Sequence, residues 1–193
     1  MRTIVPSLAL LLAACAATDG TDTSDPAATR VWLQEFAAQY SYDTGYMEQL
    51  LDLSPAAYDT FAAAMGMSEL RVHLPVDAHY VGCISALLAD DCGACTQLNL
   101  RMAVEAGIDR ALLRQVLEDP ASLPPVLRAV HDYATAVVRG GNAEAGRVQQ
   151  LRGQLGDEAF AELAVNVLGC RIYPGLRRAM GAEVSCPPPT LDF

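Results

Sequence analysis

At 193 residues and a formal net charge of −10, the chain has room for one ordinary domain, and its acidity argues against a nucleic-acid partner. Hydrophobic residues make up 52 % and charged ones 19 %, which excludes general disorder. All 13 basic residues are arginine, so lysine Schiff-base chemistry and a lysine-dependent phosphate loop are excluded, and no cofactor is expected.

The amino terminus reads as an address rather than as fold. Met1 and Arg2 precede an apolar stretch from Ile4 to Ala14, then Cys15. A positive charge followed by a short apolar run ending in small residues is a secretory signal pattern. Leu12-Ala13-Ala14-Cys15 resembles the bacterial lipobox, in which the cysteine is lipidated and becomes the first mature residue. An ordinary signal cleaved near Ala17, or a merely apolar terminus, stays open beside it. Residues 1–14 are thus expected to be a signal peptide and residues 15–29, small, polar and acidic, a flexible tether. The expected location is the bacterial cell envelope, outside the cytoplasm, with the membrane as a partner through the lipid.

From Arg30 to about residue 185 the apolar spacing of three and four predicts an all-α domain. Trp32, Leu33, Phe36, Ala37 and Tyr40 share one helical face. Ser54-Pro55 opens a helix running to about Met65, serine being an N-cap and proline a first helical residue. Residues 76–90 form another, and a further helix runs from Asp91 or Cys92 to Glu105, stopped by Gly107. Asp109 caps a short helix to Glu118, ended by Asp119-Pro120. Pro124–Arg139 follows, then Asn142–Leu155 and Asp157–Leu168 as an antiparallel pair meeting at Gly156, then a short helix after Pro174. The tail, 186–193, is expected to be non-helical.

The chemistry is concentrated in Asp90-Asp91-Cys92-Gly93-Ala94-Cys95-Thr96-Gln97-Leu98-Asn99. Two cysteines three apart at a helix start can close a disulfide within one turn. The amides and positive end of the helix favour a thiolate at Cys92, while Asp90 and Asp91 oppose it. Redox chemistry, a structural bridge and half a zinc site are the readings open to such a pair. The zinc reading lacks a second CxxC and a histidine at a usual spacing, so no metal is expected.

The segment ISALLADDCGACTQLNLRMAVEAGID resembles the core helical pair of the carboxymuconolactone decarboxylase / alkylhydroperoxidase D-like family. The later Arg171-Ile172-Tyr173-Pro174 and Arg177-Arg178-Ala179-Met180-Gly181 resemble the carboxyl end of a branch with a CGPCTQL-type core. The resemblance covers most of 70–185. It implies an all-α fold that associates into homo-oligomers and a disulfide-cycling Cys92–Cys95 pair. In it Cys95 would be the peroxide-attacking thiol and Cys92 its reducible partner.

The family's peroxidase pattern places a glutamate twelve residues before the first cysteine and a histidine four after the second; this chain has Tyr80 and Asn99 there. Neither takes up a proton near neutral pH, so the family's relay is broken. His79 is one residue from the glutamate position but about 100° away around the helix, and is expected to be exposed or capping rather than a substitute base. Asn99 either holds a water or orients a thiol, or simply faces solvent.

Of the other cysteines, Cys83 is expected to be a buried free thiol. Cys170 and Cys186 are candidates for a bridge between the last helices and the tail. Tyr42, Tyr46, Met65 and Met67 read as core, and Arg177-Arg178 as a solvated or acid-paired face. The expected activity is thiol–disulfide exchange with a small-molecule or protein thiol, coupled weakly to peroxide reduction. The competing expectation is a catalytically silent assembly module with a structural Cys92–Cys95 bridge.

Overall fold

A computed structural model describes residues 25–141, 144–182 and 188–193. The signal peptide, most of the tether, Cys15 and Cys186 lie outside the described residues. Within them the chain is all-helical: α1 Pro26–Tyr40, α2 Gly45–Leu53, α3 Pro55–Met65, α4 Val76–Ala89, α5 Gly93–Glu105, α6 Arg110–Glu118, α7 Pro125–Val138, α8 Ala145–Leu155, α9 Asp157–Cys170 and α10 Ile172–Ala179. Two 3-10 turns, Gly66–Ser68 and Pro120–Ser122, join them. None of these helices is long and apolar enough to cross a membrane.

The helix starts follow the expected chemistry. Ser54 accepts the Ala57 amide at 3.2 Å and Asp109 the Ala111 amide at 2.8 Å, satisfying amides the first turn leaves unpaired. Gly156 joins α8 to α9 at φ 88°, a conformation glycine adopts without strain. Two boundaries and one helix differ from expectation. Asp25 accepts from Ala27 N and Pro26 sits in the first turn of α1, so residues 26–29 belong to a helix and not to the tether. Helix α2 is an addition to the sequence expectation. Helix α10 starts at Ile172, ahead of Pro174; a proline this early needs no intrahelical amide.

Helix α4 is the centre of the fold. Every residue from Ala78 to Leu87 is buried, as befits a helix apolar on all sides. Helices α5, α7 and α9 pack around it, and α8 closes the outside of α7 and α9. Two apolar clusters flank it. The larger joins α4 to α6–α9 through Val81, Ile84, Leu113, Val130 and Leu163. The smaller gathers Leu33, Tyr42, Tyr46, Met47, Leu51 and Tyr58 from α1–α3. The tail at 188–193 is non-helical, as expected, and is strapped to the body. Gln97 exchanges two hydrogen bonds with the Thr190 backbone, at 2.8 and 3.0 Å, and Arg110 donates to the Leu191 and Phe193 carbonyls.

The loop into α4 is held by Glu162 of α9, whose carboxylate accepts from the amides of Val72, His73 and Leu74 and from the His73 ring. Burial pushes this carboxyl up, but the Leu74, His73 and Val72 amides with the His73 ring outweigh it and bring the pKa down to about 2. Hydrogen bonding to Glu162 raises His73. A depressed carboxylate contributes stability above its unfolded value of 4.5, lost as pH falls toward about 2. A raised histidine contributes below its unfolded value of 6.5, and the contribution is lost as pH rises through its folded value. The difference in thermal midpoint between the parent and Glu162→Gln is therefore expected to peak between pH 4.5 and 6.5 and shrink on both sides. A difference independent of pH would contradict this account of the clasp.

Candidate functional site

The turn Asp90-Asp91 carries the chain from α4 into the cysteine motif, with Asp91 in the left-handed region at φ 52°. Cys92 is the N-cap of α5, its amide donating to the Leu87 carbonyl at 3.1 Å. One turn on, Cys95 closes a disulfide with it. The two are 0 % and 2 % exposed. Asp90 does not stand as an uncompensated charge beside the motif. Its carboxylate accepts from Arg178 at 2.9 Å and lies 3.8 Å from Arg171, which offsets its opposition to a thiolate at Cys92.

A cavity of about 230 Å³ lies between α1–α3 on one side and α4, α5 and the end of α9 on the other. Cys95 is on its wall; Cys92 is behind it. Tyr80 and Asn99 reach the same cavity from α4 and α5, so the two positions that the resemblance singled out share its wall with Cys95. Asn99 is half-buried, its Nδ2 donating to the Cys95 carbonyl at 3.0 Å; it does not face solvent alone. Burial raises the Tyr80 phenol above its ordinary value, so it stays protonated as a donor. Trp32, Phe36, Met47, Met65, Leu98 and Met102 supply apolar wall, while the exposed Glu69 and Arg71 add charge at one side.

His79 corrects the sequence expectation. It is 7 % exposed and lines the cavity. Being 100° from Tyr80 does not turn it to solvent, because α4 has no solvent face. Its Nδ1 is hydrogen-bonded to Oδ1 of Asn166 on α9. Asn166 is itself oriented, its Nδ2 donating to the Met67 and Leu70 carbonyls at 3.1 and 2.8 Å. With Oδ1 the atom left to face the ring, Nδ1 must carry the proton, and Nε2 keeps its lone pair. Burial lowers the pKa of His79, opposed by the Asn166 bond and helped by Arg71, so the ring is neutral near pH 7.

Three further side chains bear on Cys95 that sequence reading placed elsewhere. Tyr42 Oη is 3.8 Å from Cys95 Sγ and 3.0 Å from Tyr46 Oη. Both phenols are pushed up by burial, so they remain donors. The Arg177 guanidinium lies over both rings, 5.8 and 5.2 Å from their centroids, and pairs with Asp43. Arg177 is thus acid-paired but buried, not solvated. The tyrosines are core, as expected, and also line one side of the sulfur.

Cys83 is a buried free thiol, as expected. Cys170 is likewise a free thiol among the described residues, and the expected bridge from it to Cys186 falls outside them. It packs in one buried cluster with Cys83, Leu87, Cys92 and Cys95. Among the described residues no group of three His, Cys, Asp or Glu side chains converges to hold a metal ion. No protein-family model matches the chain, and neither a curated protein nor a solved structure matches it.

Proposed function

We propose that the chain is a CxxC-dependent thiol–disulfide oxidoreductase of the alkylhydroperoxidase D-like type, with peroxide reduction as its oxidative half-reaction. One observation carries the reading: Cys95, alone of the disulfide pair, opens onto a cavity that also presents an oriented neutral histidine. In the reduced protein His79 Nε2 takes the Cys95 thiol proton, and Tyr42 Oη donates to the resulting thiolate. The thiolate attacks the outer oxygen of a hydroperoxide; the O–O bond breaks, the alkoxide leaves as alcohol with the proton, and Cys95 becomes a sulfenic acid. The Cys92 thiol, losing its proton, attacks Cys95 Sγ and expels hydroxide, which that proton converts to water. The disulfide so formed is reduced by an external dithiol, whose own sulfurs end as a disulfide. At about 230 Å³ the cavity suits a small organic hydroperoxide with an apolar body; drug-sized pockets run to ~300–1,000 Å³.

The competing reading, a silent module with a structural bridge, draws on the near-complete burial of both sulfurs. Lipidation at Cys15 and residence on the outer side of a membrane complete the proposal.

Mass mapping of the full-length protein extracted from membranes tests both ends of it. The expected result is an acylated Cys15 as first residue and a Cys92–Cys95 bridge opened by a mild dithiol without loss of the helical signal. A chain still beginning at Met1 contradicts the anchoring. A bridge that opens only when the protein unfolds favours the structural reading, because a four-residue loop removes little chain entropy and its reduction alone should leave the fold standing.

A further inference from the structure

Four cysteines, not two, meet beneath the cavity. Cys83 comes from the middle of α4, Cys170 from the last residue of α9, and both pack with the Cys92–Cys95 disulfide in one cluster sealed by Leu87 and Tyr173. Leu87, one turn after Cys83, holds the Cys92 amide through its carbonyl, which fixes Cys83 to the turn that carries the motif. Cys170 is 3 % exposed, yet it lines the cavity wall together with Cys95. The same wall carries His79. A single buried thiol is ordinary core material. Two free thiols side by side against a disulfide are a set of exchange partners.

We propose that Cys83 and Cys170 form a second dithiol that exchanges with the Cys92–Cys95 disulfide, so that oxidation at the cavity is passed inward and held as a Cys83–Cys170 disulfide. Cys170 gives its proton to His79 and its sulfur attacks Cys95 Sγ. The Cys92–Cys95 bond breaks and Cys92 leaves as thiolate, taking that proton. Cys83 then attacks Cys170 Sγ, the mixed disulfide opens, and Cys95 leaves as thiolate, taking the proton that Cys83 gives up. One disulfide is lost and one gained, two thiols are lost and two gained, so no outside oxidant or reductant enters. The exchange is slow by construction. The Cys83 sulfur beside it, together with burial, raises the Cys170 thiol well above its ordinary range, so its thiolate is scarce. The inner pair would therefore act as a reserve filled on repeated oxidation, leaving the cavity pair free to react again. This inference goes beyond the peroxide reading and does not require it, since any oxidant that closes Cys92–Cys95 would feed the inner pair.

The test uses diamide, a thiol oxidant independent of peroxide. In full-length Cys83→Ala/Cys92→Ala protein, which keeps Cys95 and Cys170, diamide is expected to give a Cys95–Cys170 cross-link seen by mass mapping. In the unaltered protein, stepwise oxidation from the fully reduced state is expected to give Cys92–Cys95 first and Cys83–Cys170 after it. The proposal is overturned if the folded double variant keeps both thiols unlinked. If that variant fails to fold, the unaltered protein decides, and the proposal falls if Cys170 remains free there or is found joined to Cys186. Failure of peroxide to oxidise Cys95 would leave these diamide results unchanged, so the two readings fail separately.

Discussion

Replacing His79 by glutamine is expected to slow oxidation of the reduced Cys95 thiol by about 10²–10⁴-fold, the usual range for losing a positioned general base. Glutamine keeps a polar group of similar reach against Asn166 but cannot take up a proton. The pH profile separates this from a packing defect. Because burial holds the His79 pKa below its ordinary 6.5, the base is neutral throughout the range above that value. The parental rate per Cys95 thiol should therefore stay level from pH 8 to pH 6.5 and fall only below it. Asn166→Ala, which frees the imidazole to rotate and to change tautomer, is expected to lower the rate less and to move that fall in pH. Asn166 is a positioning residue, and a merely structural role would leave the profile where it was. A His79→Gln protein that melts with the parent and reacts at the parental rate would remove His79 from the mechanism.

The reason His79 escaped the sequence reading is instructive about the rest. Helical caps, the Gly156 junction and the cysteine motif at the start of α5 are local features, decided by a few neighbouring residues, and they were legible as such. Asn99, one turn after Cys95 on α5, was legible in the same way, whereas Tyr80 was brought beside the motif only by the family resemblance. A residue about 100° from Tyr80 would reach water only if α4 had a wet side. Its run of buried residues from Ala78 to Leu87 shows why it has none: helices pack on it from several directions. Asn166, Tyr42 and Arg177 could not be found locally, since their partners are 87, 53 and 134 residues away. One usable signal existed for Asn166. It is a lone amide on a buried helix face that it shares with Glu162, Leu163, Val167 and Cys170, and a buried amide without partners would cost too much to be kept there.

The largest stability effect is expected at Gly169. A Cβ on this residue would stand 2.4 Å from Ser68 N, 2.5 Å from Met67 C and 2.8 Å from Met67 Cβ. Two of these are backbone atoms of the 3-10 turn that α9 packs against, and they cannot turn aside as a side chain can. Gly169→Ala must push α9 away from that turn. Overpacking of this kind costs about 1–3 kcal/mol, and here the same movement pulls Asn166 Nδ2 from the Met67 carbonyl, so the upper end is expected. Gly82→Ala provides the contrast. Its new Cβ would meet the Leu163 Cδ1 methyl at 2.7 Å, the tip of a flexible side chain, and the loss should be smaller. Urea unfolding of both variants reads the comparison directly. Equal midpoints for Gly169→Ala and the parent would mean that the contact between α9 and the turn is looser than the geometry states.

The redox assignment of the cysteine pair is tested most directly by stoichiometry in a single turnover. Fully reduced protein is mixed with one equivalent of cumene hydroperoxide, and the alcohol produced is measured alongside mass-mapped Cys92–Cys95 disulfide. The account predicts one alcohol for each disulfide formed at early times, with neither product in Cys95→Ser. Hydroperoxide left unconsumed while both thiols stay reduced would contradict it, as would equal consumption by the Cys95→Ser protein.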